Sequence, residues 1–147
     1  MNIKACLTHK TDNWQSPKYI YEHFMKRGYI DLFPYKANYD QFKIDYYKEK
    51  LFCNPPFSKL KDVIPYLIKQ AENGCEVMLL MPSRTDTKYF HELLNYGHIT
   101  IYFIKGRLHY NESKSAPFPS MIVYINKKIG LPLFTKFWLE ENKKTQI

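Results

Sequence analysis

From residue 18 onward, KYIYEHFMKR sets its apolar side chains at the spacing of one helix face and predicts a helix stopping at Gly28. Ser16-Pro17 ahead of it reads as an N-cap followed by proline at the first helical position. YIDLF, from Tyr29 to Phe33, predicts a short strand, and the stretch after it carries turn residues at Pro34, Asn38 and Asp40 without a period. LFC, from Leu51 to Cys53, is a second short buried strand. After an Asn-Pro-Pro-Phe turn, Asp62 is placed to cap a helix that tolerates Pro65 in its first turn. Val63, Ile64, Leu67, Ile68 and Ala71 share one face of that helix, which closes at Asn73-Gly74. CEVMLLM is a continuous apolar run of strand length, as a buried parallel strand requires. TDTKYFHELLNYG predicts a capped helix closed by Gly97, and ITIYFI the next strand. GRLHY and PSMIVYI are expected to pair as an antiparallel hairpin. Phe134, Phe137 and Trp138 fall at helical spacing and predict a C-terminal helix and tail over 131–147.

Strand and helix alternate through the middle of the chain, which argues for a mostly parallel α/β sheet covered by helices. In such sheets ligands bind outside the carboxyl ends of strands. The turns after Phe33, Cys53 and Met81 all fall at such ends and predict one ligand-binding edge. At 147 residues the chain fits one domain, preceded by a short arm over 1–10.

The net charge of +8, from 22 Lys plus Arg against 14 Asp plus Glu, points to a polyanionic partner such as nucleic acid, or to a plain solvated surface. The cysteines, Cys6, Cys53 and Cys75, form no CxxC pair and suit neither a disulfide framework nor a cysteine zinc site. A reducing, intracellular location is expected. MNIKACLTHK has no apolar core of a secretory signal, and no apolar run approaches the ~18 residues of a membrane span. His9, His23, His91, His98 and His109 show no paired ligand spacing, so no metal site is expected.

The turn Asn54-Pro55-Pro56-Phe57 carries the chemistry. The exocyclic N6 of adenine is a poor nucleophile because its lone pair is delocalised into the ring. Two acceptors aimed at its N–H groups favour a pyramidal nitrogen whose lone pair faces a methyl donor. The Asn54 side-chain oxygen and the Pro55 carbonyl are candidates for those acceptors. The prolines stiffen the loop and remove competing N–H donors, and Phe57 offers a flat face for stacking. A base in a duplex reaches such a loop only when flipped out. The bland alternative is a common Asn-Pro turn with Phe57 in the core.

DNWQSPKYIYEHF, NPPFSK, VMLLMPSRTDTKYFH, FIKGRLHY and APFPSMIVY, in that order, resemble the phage-type DNA N-6-adenine methyltransferase family over residues 11–125. The resemblance implies a compact Rossmann-like methyltransferase sheet, S-adenosyl-L-methionine as donor and adenine in DNA as substrate. It implies that Asn54, Pro55, Pro56 and Phe57 are the catalytic loop. Trp14, Gln15, Ser16 and Pro17 match the family's W-x-[TS]-P block on the cofactor side, with Trp14 covering the cofactor and Ser16 bonding its carboxylate. The other reading of that block is a helix start with a hydrophobic staple.

Asp31 and Pro34 match the end of the family's first strand, with Asn54 also at the cofactor. Leu32 and Phe33 are bulkier than the pattern. The Gly-rich loop common in methyltransferases is absent, and only about 20 residues separate the first strand from Asn54, too few for a complete dinucleotide-type half. Asp40 and Asp45 are weaker candidates for ribose hydroxyls. Arg84, Lys88, Lys105 and Arg107 are candidate phosphate contacts, with Arg84 alternatively pairing Asp86 and with Tyr110 beside the lysine and arginine of KGRLHY. Phe118 in APFPS is expected to shape the base pocket beside Phe57.

The resulting expectation is an adenine-specific DNA methyltransferase without a separate recognition domain. Its sequence specificity would be relaxed, or completed by a second subunit, as in a homodimer. The alternative is a methyltransferase-fold module with weak or no catalysis that binds nucleic acid or a host protein. The same loop chemistry also suits RNA or a protein glutamine amide.

Overall fold

The computed structural model describes residues 14–34, 40–112 and 114–141; the N-terminal arm expected over 1–10 lies outside them. Strands β1 (Ile30–Asp31), β2 (Lys50–Cys53), β3 (Glu76–Pro82), β4 (Ile99–Phe103), β5 (Ser120–Ile125) and β6 (Leu133–Lys136) form one sheet. Helices α1 (Lys18–Met25), α2 (Leu60–Glu72) and α3 (Lys88–Tyr96) complete a mixed α/β fold. The strand order is β1-β2-β3-β5-β4-β6. β1, β2 and β3 run parallel, β5 runs antiparallel to β3 and β4 on either side of it, and β6 is parallel to β4. Among the described residues, no strand pairs with the outer edge of β1.

The period-based expectations hold where burial is one-sided or complete. α2 buries Val63, Ile64, Leu67 and Ala71, while β3 is buried from Val77 to Pro82. In α3 the Thr87 hydroxyl caps by accepting from the Phe90 N–H at 3.3 Å, and Gly97 closes the helix at φ 83. That left-handed conformation is one a residue with a Cβ adopts only with strain. α2 begins at Leu60, ahead of Asp62, because a 3-10 turn over Phe57–Lys59 feeds straight into it. Pro65 therefore lies inside the helix rather than in its first turn, and the bond its missing N–H would make to Lys61 is lost.

Three expectations are corrected. Residues 106–110 form no strand; β5 instead fills the gap between β3 and β4, and 106–118 is a loop in which the Ala116 N–H reaches the Leu108 carbonyl at 2.8 Å. The helix expected from Phe134, Phe137 and Trp138 is strand β6, whose four residues are all exposed. The ladder to β4 and the stacking of Phe134 on Phe103 (6.5 Å, 11°) hold it in place of a buried helix face. Ser16 is not the N-cap of α1: Pro17 stands there, and no side chain caps that end of the helix.

Among the described residues no helix is long and apolar enough to cross a membrane.

Candidate active site

The parallel registers Asp31↔Phe52 and Cys53↔Leu79 bring the carboxyl ends of β1, β2 and β3 to one edge of the sheet. β5 starts at that edge, with Ser120 opposite Pro82, and the Ser83 N–H donates to the Pro119 carbonyl at 2.9 Å. β4 ends there too, with Phe103 opposite Met121. The single ligand edge read from the turns therefore gathers Asp31, Asn54, Arg84 and Phe118, along with the loop that carries exposed Lys105 and Arg107. Lys88, exposed, opens α3 just beyond the Arg84 loop.

Asn54 sits at the centre. Its Nδ2 donates to the Trp14 carbonyl at 2.5 Å and to the Ser16 hydroxyl at 2.9 Å. A carbonyl can only accept, so the side-chain group facing Trp14 has to be the NH2, and this fixes the orientation of the amide. Oδ1 then points the other way. It is buried and has no hydrogen-bond partner among the described residues. A buried acceptor left unmatched costs about 1–3 kcal/mol, so one held in place by two bonds on the other side of the same amide calls for a ligand. Pro55 and Pro56 are buried behind it, and the Pro56 carbonyl accepts the Lys59 N–H at 2.9 Å, which starts the 3-10 turn.

Phe57 is 5% exposed and lies in an aromatic cluster. Trp14 stacks on it at 6.3 Å with 12° between the planes. Phe118 and Tyr110 meet it edge-on at 5.3 Å and 6.1 Å. Phe118 is thus beside Phe57 as expected, with the Arg84 guanidinium 6.0 Å above its ring. The face of Phe57 expected to be open for a base is covered by Trp14 instead. Tyr110, read as a companion to the basic residues of its loop, is 0% exposed and shares a 2.9 Å hydrogen bond with the Ser120 hydroxyl, so it cannot touch a phosphate. Burial pushes its phenol well above the usual range and keeps it protonated. Gln15, exposed, is pinned to Asn111: its N–H donates to Asn111 Oδ1 at 2.5 Å and its carbonyl accepts the Asn111 N–H at 3.0 Å. Asn111 achieves this at φ 57, a left-handed conformation Asn tolerates.

On the β1 side, the Asp31 carboxylate accepts the Phe33 N–H at 3.1 Å. Burial raises its pKa, and that hydrogen bond partly offsets the rise. Burial also raises the Cys53 thiol well above its ordinary range, with Asp31 adding to it, so this cysteine is inert rather than nucleophilic. Pro34 is exposed, and the five residues after it lie outside those described. Asp45 bonds Gln70 and Lys69 on α2, at 3.1 Å and 3.2 Å, so it serves as a loop anchor. Among the described residues no group of three or more His, Cys, Asp or Glu could hold a metal ion.

The sequence model of the family described as DNA N-6-adenine-methyltransferase (Dam) matches residues 4–143. The chain belongs to this family. Among curated proteins none matches significantly. The crystal structure of a predicted O-methyltransferase from Agrobacterium tumefaciens is similar at 16% identity and a TM-score of 0.43, over 74% of this chain and 51% of that one. The chain thus spans about half the length of that solved structure.

Within this Dam-family chain, the sequence named Tyr110 only as a companion to Lys105 and Arg107 and Ser120 only as the end of APFPS, whereas the two meet each other beside Phe57. Asn111, which holds Gln15, gave no signal in the sequence.

Proposed function

We infer that the chain transfers a methyl group from S-adenosyl-L-methionine to N6 of an adenine extruded from DNA. One observation carries this reading: the buried Asn54 Oδ1, aimed by two bonds on its own amide and without a partner among the described residues. An amine with an N–H to give is the ligand that oxygen fits. The Pro55 carbonyl, next in the chain, would take the second N–H, so that the nitrogen lone pair turns away from both. Neither oxygen is basic enough to keep the proton released on bond formation, which passes on to water.

The donor, when bound, supplies an electrophilic methyl on a sulfonium. Residues fitting it are the Asp31 carboxylate, for its cationic end, and the Ser16 hydroxyl, which accepts from Asn54 and keeps its own proton to donate to a carboxylate. Arg84, Lys88, Lys105 and Arg107, on or near the same edge, would hold phosphates. The test is transfer of labelled methyl to DNA, RNA and protein extract, with digestion of the product. Label in N6-methyladenine from DNA is the expected result, and label confined to RNA or to glutamine would overturn it.

The short span between β1 and Asn54, without a Gly-rich loop, favours a second reading, a module that binds nucleic acid or a host protein without turnover. Calorimetry separates the two: heat of S-adenosyl-L-methionine binding is expected, and none at millimolar donor would favour the module.

Binding of the donor should also depend on pH. A raised carboxyl pKa means that Asp31 protonates earlier than an ordinary aspartate as pH falls. The carboxylate is what attracts a cation, so donor affinity is expected to be full at neutral pH and lost as pH drops through that raised value. The Kd measured across that window should flatten in Asp31→Asn. A wild-type profile without slope would remove Asp31 from the donor site.

A further inference from the structure

We propose that Trp14 is a plug standing in the adenine site, and that an extruded base enters by displacing it. The proposal rests on the reading that the Asn54–Phe57 loop takes a flipped adenine. Phe57 keeps 5% of its surface, and its flat face is taken by the Trp14 indole at 6.3 Å and 12°. Phe118 and Tyr110 wall the same indole edge-on, at 5.4 Å and 5.8 Å. The cluster is therefore a box around a planar fused bicycle, and a purine has the outline of that bicycle. Stacking between a base and an aromatic side chain is tolerant of base identity because every base has a π-face. An indole on the same platform is thus a direct competitor for it.

The surroundings set how the plug leaves. The backbone beside it is fastened, with Gln15 bonded to Asn111 through both its N–H and its carbonyl, and with Pro17 buried. Trp14 itself, by contrast, is only half-buried, although its indole Nε1 is buried. Displacement is therefore a swing of the indole about a fixed backbone. The Trp14 carbonyl and Ser16 hydroxyl stay on the Asn54 amide while the ring moves, so Oδ1 keeps its aim as the base arrives.

A closed plug weakens apparent base affinity by the fraction of molecules that are open, so a site closed nine-tenths of the time binds about ten-fold more weakly than the open one. In a Trp138→Phe chain, Trp14 is the one tryptophan left of the two. Saturation with a single-stranded adenine oligonucleotide should shift its emission to the red and raise its quenching by acrylamide. An abasic oligonucleotide of equal length should do neither. Free 2-aminopurine, whose fluorescence falls on stacking, should bind a Trp14→Ala chain about ten-fold more tightly than the native one. Trp14→Leu serves the same purpose if the alanine variant fails to fold.

Methylation of adenine by a chain whose Trp14 emission does not move would overturn the plug and leave the function standing. Equal binding of 2-aminopurine to native and variant chains also overturns it. Absence of methyl transfer in both native and Trp14→Ala chains would sink the functional reading instead, and the 2-aminopurine comparison would still decide the plug.

Discussion

Asn54→Ala is expected to lower methyl transfer by about 10²–10³-fold, the loss typical of removing one preorganised hydrogen-bond partner of the reacting group. Stability should barely change. The substitution gives up two bonds, to the Trp14 carbonyl and the Ser16 hydroxyl, each worth about 1 kcal/mol net. It also removes the unmatched Oδ1, whose burial costs a similar amount. The diagnostic pattern is therefore a large drop in kcat with a melting temperature within a few degrees of the native chain. Asn54→Asp separates the two jobs of the amide. It keeps the acceptor but sets a carboxylate oxygen against the Trp14 carbonyl, which has nothing to donate. Activity between that of the native chain and that of the alanine variant is expected. Full activity in Asn54→Ala would falsify the loop's assignment.

Phe52→Ala is expected to have the largest effect on stability. Phe52 is fully buried on β2, one residue short of the strand's end. Phe24 of α1 stacks on it at 5.2 Å and 22°, and Tyr21 meets it edge-on at 6.5 Å. Its carbonyl also receives the Leu32 N–H at 2.9 Å, which ties β1 to β2. Truncating a buried phenylalanine costs about 3–5 kcal/mol, a large share of the roughly 5–15 kcal/mol that holds a domain folded. At about 2–4 °C per kcal/mol, the melting temperature should fall by about 10 °C. Calorimetry checks this, and a drop of under about 2 °C would mean α1 is not anchored through this ring.

Legibility in the sequence followed the range of the interaction. The caps of α3 were readable because Thr87 and Gly97 act within one helical turn of themselves. α2 and β3 were readable because burial imposes a period, or the absence of one, on adjacent residues. The place of β5 was not, because its pairing with β3 and β4 is decided across loops that carry no pattern of it. β6 was misread for a related reason. All four of its residues are exposed, so its alternation is blank, and Phe134, Phe137 and Trp138 mimicked a helix face. In the site, Asn54, Ser16, Asp31 and Phe118 were identifiable one by one as residue types. That Ser16 turns to Asn54 rather than capping α1, and that Trp14 lies on Phe57, are tertiary contacts across 38 and 43 positions, which local propensity does not encode.

The antiparallel strand inserted between β3 and β4 bears on how the chain is made. Among the described residues, β4 pairs with the sheet only through β5, and β6 only through β4. During synthesis the apolar edge of β3 therefore waits unzipped until Ile125 has cleared the ribosome, and an emerging chain is at its most adhesive in that interval.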